Sequence, residues 1–289
     1  MWQAYKFPDT IKDAVSVLNS GQGMARIIAG GTDLMLDIQR GRHAVETLVD
    51  LANIKELGRI TEENGEIKIG ANVTCTQIVN SKLIQEKAPA LCQGARKLGS
   101  KQIRNIATIA GNIVRAQPAA DTAVPLVALG AKLELASADG TRTIDILDAY
   151  GDGFAKSTID STSEILTFIT FPTRKAGEGS SYVRLDKRKA LSLPILNIAC
   201  KVVLTGETIK AASIAMGPVG PGPQRAFDAE NRLSGSTISE ENTRAAAQLV
   251  INQCDPRDSL VRGSRSYRLA VIGALARRAI TEAVACAKA

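Results

Sequence analysis

The chain has 289 residues, which is enough for two domains of ordinary size. Hydrophobic residues make up 45% and charged residues 22%, as in globular proteins, and no run reaches the roughly 18 apolar residues of a membrane helix. The net charge is +7, but the basic residues are not interleaved with aromatic ones, so we expect neither nucleic-acid binding nor membrane insertion.

Histidine and cysteine limit the chemistry that the protein groups can perform. His43 is the only histidine, so a Ser-His-Asp or Cys-His arrangement would depend on that one residue. The five cysteines form no C-x-x-C pair, which argues against a zinc site or an iron–sulfur cluster, and their odd number in a cytosolic chain indicates reduced, mostly buried thiols. The first residues lack the layout of a secretory signal, so we expect a cytoplasmic protein. We predict no catalytic residue and no metal ligand in this chain, and a bound cofactor as the carrier of any reaction.

The first subdomain, predicted at residues 1–52, has the pattern of a small parallel sheet. Its elements are a strand at 5–7, a helix from 10 to about 20, a strand at 26–28, a helix at 34–38 and a strand at 47–51. Strand–helix–strand–helix–strand with short crossovers implies parallel pairing.

A glycine motif occupies the second crossover. Ile27, Ile28 and Ala29 lead into Gly30 and Gly31, and Thr32, Asp33 and Leu34 then begin a helix. Glycine tolerates positive φ and lets a ligand approach the main chain. Free N–H groups at the start of the helix suit an anion such as a phosphate or pyrophosphate. This stretch leaves an alternative open. The glycines could serve the turn geometry alone, and Thr32 could cap the helix.

The second subdomain, predicted at residues 53–174, is α+β with antiparallel strands. Asn64-Gly65 and Asp139-Gly140 each lie between alternating segments, which is typical of hairpins. Residues 165–171, followed by Pro172, predict a further strand, and residues 75–98 predict a helical stretch.

Small polar residues at 175–181 predict a link to a carboxy-terminal domain at 180–289. Strands at 182–185, 197–204 and 208–216 are expected, then a Gly- and Pro-rich break at 217–223. Three helices follow, at 225–233, 240–254 and 264–287. The last carries an apolar stripe that predicts core packing: Leu269, Ile272, Ala276, Ile280 and Val284.

A second motif lies at residues 103–112, where an apolar segment leads into a small-residue turn. Thr108 and Asn112 offer side-chain hydrogen bonds, and Asp121 follows shortly after. Two such turns, one in each subdomain, could hold a long anionic ligand from both sides, and a dinucleotide has that shape. The fingerprint G-x-G-x-x-G is absent, so the site is not of the Rossmann type.

The sequences AGGTDL at 29–34 and IRNIATIAGN at 103–112, with Asp121, closely resemble the FAD-binding medium subunit of molybdenum hydroxylases. That family includes carbon monoxide, nicotinate and xanthine dehydrogenases and 4-hydroxybenzoyl-CoA reductase. The resemblance extends over the whole chain, including 182–188 and 224–235. It implies a vanillyl-alcohol oxidase-like FAD-binding domain of two subdomains, followed by a flavoprotein carboxy-terminal domain of three antiparallel strands and three helices.

The resemblance also implies a role for each site residue. Residues 27–34 would wrap the FAD pyrophosphate through main-chain N–H groups, and Asp121 would make a polar contact to the cofactor. Arg184 stands where relatives often have Lys near the flavin ring. The other implied contacts are Thr108, Ile109, Ala110, Gly111 and Asn112 for the phosphates and ribityl chain, and Leu98 and Leu166 near the ring.

Some positions depart from the family pattern or allow another interpretation. Ala110 replaces the first glycine of Gly-Gly-Asn, so either that position needs no positive φ or the grip on the cofactor is altered. A cysteine-bearing insertion for a [4Fe–4S] cluster is missing, so the reductase subtype is not expected. An acidic residue of many relatives is also missing near Leu191 and Ser192. Asp121 could instead cap a helix, and 184–189 could be a solvated strand edge.

Three functions remain open on the sequence. The first is an FAD-carrying electron-transfer subunit that works with a molybdopterin-binding large subunit and a [2Fe–2S] small subunit. The others are a stand-alone flavin oxidoreductase of the same fold and a scaffold that has lost FAD. All versions with FAD require Gly31 and Gly111 to lie at one diphosphate site. The substrate and the terminal acceptor are not encoded in any motif of this chain.

Overall fold

A three-stranded parallel sheet begins the fold in the computed structural model, which describes residues 2–188 and 191–289. Its strands are β1 (Ala4–Lys6), β2 (Ala25–Ile28) and β3 (Thr47–Asp50), in the order β1-β3-β2. The crossovers contain α1 (Ile11–Ser20) and α2 (Leu34–Gln39). Thr10 caps α1, because its Oγ1 accepts a hydrogen bond of 3.1 Å from the backbone N–H of Asp13. The predicted parallel arrangement is confirmed.

A five-stranded antiparallel sheet follows, in the order β4-β5-β8-β6-β7. Its strands are β4 (Ile60–Glu63), β5 (Glu66–Gly70), β6 (Lys132–Ser137), β7 (Gly140–Asp145) and β8 (Glu164–Pro172). Asn64 and Gly65, at the tip of the first hairpin, both have positive φ, +53° and +79°. A type I′ turn requires that conformation of its central residues, and Asn-Gly provides it at least cost. Both predicted hairpins are present.

Helices fill the chain between the two hairpins: α3 (Cys75–Asn80), α4 (Lys82–Lys87), α5 (Pro89–Lys97), α6 (Lys101–Ile106), α7 (Ile109–Val114) and α8 (Ala123–Leu129). The single helical stretch predicted at 75–98 is therefore three short helices. Ser81 has extended backbone, and its side chain caps α4. Ala88 leaves the helical region because it precedes Pro89, whose ring crowds the helical conformation of the residue before it.

A third sheet contains β9 (Glu178–Leu185), β10 (Leu196–Thr205) and β11 (Thr208–Gly217), with the short strands β12 (Gln224–Arg225) and β13 (Ser236–Thr237) paired to β11. The predicted link at 175–181 is thus wrong in its second half, since β9 begins at Glu178. Its small residues serve close packing. A Cβ atom at Gly179 would lie 2.2 Å from the carbonyl oxygen of Ala283, in the last helix.

Three helices complete the carboxy-terminal part: α9 (Phe227–Leu233), α10 (Glu240–Asn252) and α11 (Arg265–Lys288). The helix predicted to begin at 225 begins two residues later, because Gln224 and Arg225 pair with β11. The predicted stripe of α11 lies in the core, where Ile272, Ala276 and Ile280 are fully buried. No helix in residues 2–188 and 191–289 combines the length and apolar character needed to cross a bilayer.

The third sheet packs between α11 on one face and α5 and α8 on the other. Tyr182, Ala199 and Ala215 belong to this sheet, yet their side chains contribute to the core of the antiparallel part. The same packing brings the connection between β9 and β10 over the preceding subdomain. The first two sheets and this connection therefore contribute to one cleft.

Candidate functional site

A cavity of about 670 Å³ lies between the first two sheets and the connection from β9 to β10. Its walls come chiefly from four segments of the chain, residues 26–34, 98–121, 155–166 and 191–193. Both sequence motifs are among them, so Gly31 and Gly111 line one space, as a shared diphosphate site requires. Packed side chains do not fill the gap between the motifs.

The first motif forms a turn that only glycine fits. Gly31 has a φ of +64°, in the left-handed region. A Cβ atom at Gly30 would lie 1.9 Å from the carbonyl oxygen of Ile106, at the end of α6. The main chains of the two motifs are therefore in direct contact at Gly30.

The main-chain N–H groups of this turn are available to a ligand. Within the described ranges, no acceptor pairs with the backbone N–H of any residue from Ala29 to Leu34. Asp33 is the N-cap residue of α2 and makes no side-chain capping bond. The alternative role of Thr32 as helix cap is therefore wrong. Unpaired N–H groups at a glycine turn form an anion-binding concavity.

The second motif is a helix start, which corrects the prediction of a small-residue turn. Thr108 caps α7 through a hydrogen bond of 3.1 Å from the N–H of Gly111 to its Oγ1. Ala110 lies in the first turn of this helix and does not have a positive φ. Alanine therefore causes no backbone strain at this position. Asn112 accepts a hydrogen bond of 2.6 Å from the Thr122 hydroxyl. Ile109 is fully buried in the core and does not line the cavity.

Asp121 lines the cavity, but both oxygens of its carboxylate already accept hydrogen bonds from protein groups. One oxygen accepts a hydrogen bond of 2.6 Å from the Tyr182 hydroxyl, and the other accepts one of 2.6 Å from Arg184 Nη1. Burial raises the pKa of the Asp121 carboxyl, and the Arg184 guanidinium opposes that shift. Thr122, not Asp121, is the N-cap residue of α8, so the helix-cap alternative is wrong.

Arg184 lies beside the cavity and not in its wall. Its side chain is 2% exposed and also contacts Asp186, the carbonyl oxygen of Lys97 and the carbonyl oxygen of Ser192. A solvated strand edge is therefore wrong for Arg184. Lys189, the end of that predicted basic segment, lies outside the described residues.

Charged residues without a predicted role surround the glycine turn. Arg115 Nη2 pairs with the buried Asp37 at 3.1 Å, and its buried Nε lies 3.7 Å from a carboxylate oxygen of Asp33, at ion-pair but not hydrogen-bond distance. Burial, reinforced by the charge of Arg26, lowers the pKa of His43. Arg115 follows the second motif by three residues, which is the one sequence signal that could have marked it.

Two other wall segments carried no sequence signal. Residues 155–161 reach the first motif, where the carbonyl oxygen of Ser161 accepts a hydrogen bond of 3.0 Å from the N–H of Ile27. Leu191 and Leu193, in the connection between β9 and β10, border the cavity, and each is 57% exposed. Leu98 and Leu166, both predicted site residues, contribute apolar wall.

This arrangement suits an elongated ligand with an anionic middle and an apolar end. The unpaired N–H groups of the glycine turn would receive the anion. The apolar walls at Leu98 and Leu166 would receive a planar ring. FAD, with its pyrophosphate and isoalloxazine ring, fits this set of groups.

Two family profiles match the chain. The FAD binding domain in molybdopterin dehydrogenase matches residues 2–174, and the CO dehydrogenase flavoprotein C-terminal domain matches residues 181–283. The xanthine dehydrogenase FAD-binding subunit of Escherichia coli O157:H7 is 30% identical over 285 residues, which cover 98% of this chain and 97% of that protein. The nicotinate dehydrogenase FAD-subunit of Eubacterium barkeri is 32% identical over 247 residues, covering 84% and 83%.

Solved structures agree with these sequence relatives. A chain of the carbon monoxide dehydrogenase from Hydrogenophaga pseudoflava superimposes with a TM-score of 0.91 at 29% identity, covering 99% of this chain and 98% of that one. Quinoline 2-oxidoreductase from Pseudomonas putida 86 gives a TM-score of 0.90 at 26% identity, covering 100% and 99%. The predicted resemblance and fold class are confirmed. With a glycine cleft suited to FAD and family matches along its length, this chain belongs to the FAD-binding subunits of the molybdenum hydroxylase family.

Proposed function

We propose that this chain is the electron-transfer subunit of a molybdenum hydroxylase complex. Electrons would come from [2Fe–2S] clusters of a small subunit, which receive them from a molybdopterin-binding large subunit. They would leave this chain for an external acceptor. Bound FAD would supply the redox chemistry, since flavins exchange electrons singly or in pairs. The chain's own residues would hold and orient it, in a cytoplasmic assembly.

The observation that carries this proposal is the set of unpaired N–H groups from Ala29 to Leu34 at the wall of one cleft shared with α7. Leaving so many donors without acceptors is costly unless water or a ligand pairs with them. A pyrophosphate provides several oxygens in one place and would satisfy them together. Main-chain donors do not depend on side-chain rotamers, so the grip would be rigid.

We assign cofactor contacts to the predicted residues that line the cleft. The first group is Ile27, Ile28, Ala29, Gly30, Gly31, Thr32, Asp33 and Leu34, and the second is Leu98, Thr108, Ala110, Gly111, Asn112, Asp121 and Leu166. We give two predicted residues an indirect role. Ile109 would anchor α7 in the core, and Arg184 would hold the Asp121 carboxylate in place.

We also propose the division into an FAD-binding domain at 1–174 and a carboxy-terminal domain at 180–289. An apolar cluster built from residues 183–287 supports it. The carboxy-terminal part would close the ring end of the cleft through residues 191–193.

The test is purification of the native complex followed by identification of its chains, metals and flavin. We expect stoichiometric FAD on this chain, an oxidised flavin spectrum that bleaches when the complex receives its substrate, and companion chains that hold molybdopterin and [2Fe–2S] clusters. A colourless, correctly folded protein without nucleotide would contradict the proposal. An active monomer on size exclusion would favour a stand-alone flavin oxidoreductase.

A further inference from the structure

A short hairpin projects from the connection between α10 and α11. Two backbone hydrogen bonds, of 3.1 and 2.8 Å, join Ser259 and Gly263. The Ser259 hydroxyl accepts a third hydrogen bond, of 3.1 Å, from the N–H of Arg262. At the tip of the hairpin, Leu260 is fully exposed and Val261 is largely exposed. The closed turn therefore holds an apolar tip out into solvent.

Buried and charged contacts hold the base of this hairpin in place. The guanidinium of Arg268, in α11, is buried and donates to the carbonyl oxygens of Arg257, at 2.9 Å, and Pro218. Asp258 accepts a hydrogen bond of 2.6 Å from the N–H of Arg265. Because these contacts fix the hairpin before any partner arrives, binding through it would lose little conformational entropy.

Further exposed apolar side chains flank the tip. The ring of Phe154, which is half exposed, lies 4.3 Å from the guanidinium carbon of Arg257. Tyr267 is also nearly half exposed, and a Cβ atom at Gly263 would lie 3.2 Å from its ring. Single exposed apolar residues are ordinary, but four around one hairpin are typical of an interaction site. The name hairpin surface is used below for Phe154, Leu260, Val261 and Tyr267.

The charged groups around the hairpin surface are mainly arginines. Burial and the charge of Arg257 lower the pKa of Arg262. Arg265 pairs with Asp255 at 3.1 Å. The sequence shows the same bias, since residues 211–287 contain nine arginines and no lysine. Protein–protein interfaces are enriched in arginine and aromatic residues and depleted in lysine, so this composition favours a protein partner.

We propose that the hairpin surface docks on a companion protein chain, in an apolar pocket edged by carboxylates. The inference rests on the proposed function, which supplies the companion chains. Leu260 and Val261 fill the pocket, and Arg257 and Arg262 pair with the carboxylates at its edge, because complementary charge fixes the orientation of an interface.

Charge disfavours two other occupants of this surface. A second copy of the chain would place arginine against arginine, which is repulsive. An anionic lipid surface would attract the arginines but repel Asp255 and Asp258, which are exposed beside the tip. A companion chain with separate carboxylates can pair with the arginines and avoid both acidic residues.

The first experiment asks what lies against the tip in the native FAD-loaded complex. A photo-reactive benzophenone amino acid replaces Leu260, and in a control complex it replaces the exposed Lys12 of α1. After irradiation, mass spectrometry identifies the attached chain. We expect position 260 to attach to a companion chain and position 12 to attach to none. Attachment of position 260 to a second copy of this chain, or no attachment, would overturn the proposal.

The second experiment measures dissociation of the complex in a dilution series. The tip variant combines Leu260→Ser with Val261→Ser, and its control is Phe7→Ser, at a remote residue that is also half exposed. We expect the tip variant to dissociate at a concentration at least about tenfold higher, as for loss of central interface contacts, and the control to match the natural complex.

Charge reversal tests the rim of the same surface. Arg257→Glu leaves the main-chain carbonyl that Arg268 contacts in place, and Lys12→Glu makes the same charge change on α1. We expect only Arg257→Glu to weaken the complex, and to do so most at low salt, where charges are least screened. Urea denaturation of each variant checks that its fold is intact.

Companion chains and FAD are identified first, because their absence contradicts the proposed function. A complete FAD-loaded complex whose stability ignores the tip variant and Arg257→Glu would overturn the docking proposal alone. Vesicles of phosphatidylcholine and phosphatidylglycerol test the lipid alternative. Binding of the natural complex to them that the tip variant abolishes would also overturn docking on a protein.

Discussion

Gly30 is the residue at which the two motifs meet, and it has no room for a side chain. In Gly30→Ala the new Cβ would press on the Ile106 carbonyl, which belongs to the main chain and cannot move aside alone. We expect a loss of about 1–3 kcal/mol in the free energy of unfolding, typical of overpacking, and FAD bound at least tenfold more weakly. The measurements are urea denaturation and FAD titration.

Gly58→Ala is the matched control, because a Cβ there meets no atom within 4 Å. It should leave FAD affinity unchanged. Equal FAD affinity in Gly30→Ala and the natural protein would contradict the close contact between the motifs.

His43 gives a second prediction, on pH. Burial and neighbouring arginines lower its pKa below the ordinary 6.5, so the folded state binds fewer protons than the unfolded state at acidic pH. The stability contributed by neutral His43 is therefore present above pH 6.5 and is lost as pH falls through the lowered pKa. Because His43 is the only histidine of the chain, its imidazole proton signal can be identified in an NMR spectrum without further assignment. We expect a pKa below 6.5 without FAD, and a higher value once the anionic cofactor is bound. A pKa at or above 6.5 in the FAD-free protein would contradict burial beside arginines as the controlling effect.

At the scale of elements, the start of α7 connects helix stability to ligand binding. Thr108→Ala removes the hydrogen bond that caps this helix and should cost about 1 kcal/mol. Thr10→Ala removes the equivalent bond from α1, away from the cleft. We expect similar losses of stability from both, measured by urea denaturation, but weaker FAD binding only in Thr108→Ala. Equal FAD affinity in the two variants would mean that α7 has no part in the cofactor site.

At the scale of the whole molecule, Arg174 joins segments that are distant in sequence. Its guanidinium donates to the carbonyl oxygens of Glu178 at 2.7 Å, Glu86 at 3.2 Å and Cys286 at 2.5 Å. These belong to β9, α4 and α11. We expect Arg174→Gln to cost about 1.5–3 kcal/mol, because charged hydrogen bonds are lost at the junction of the parts.

The measurement follows urea unfolding by Trp2 fluorescence and by circular dichroism. Both midpoints should fall together if the parts unfold as one unit. Arg244→Gln is the control, since that exposed arginine pairs only with Glu240 in the described chain, and its loss should cost less than about 1 kcal/mol. Midpoints that separate in Arg174→Gln would contradict a cooperative junction.

Prediction from sequence succeeded where the pattern is local. The parallel crossovers, the Asn64-Gly65 hairpin and the stripe on α11 all depend on residues a few positions apart. It failed where the local structure depends on packing against a residue that is distant along the chain. Gly179 was predicted to be part of an interdomain link, but α11 packs there, more than a hundred positions further along the chain.

The candidate site divides in the same way. Residues 27–34 and 108–112 could be found because each motif is contiguous, although the second motif proved to be a helix start. Arg115 and His43 could not be assigned, because their roles depend on where α2 and α7 meet. The two partners of Asp121 come from the third sheet, so the hydrogen bonds that hold its carboxylate were not visible in sequence.

The sequence by itself determined the family, the order of the elements and the two motifs that point to FAD, because periodicity, turn chemistry and short glycine-rich segments are local properties of the chain. Only the tertiary structure decided which N–H groups stay unpaired and that Ile109 and Arg184 lie outside the cleft. The physical reason is that burial, hydrogen-bond pairing and electrostatic fields are set by residues that meet in space, and distance along the chain does not reveal them.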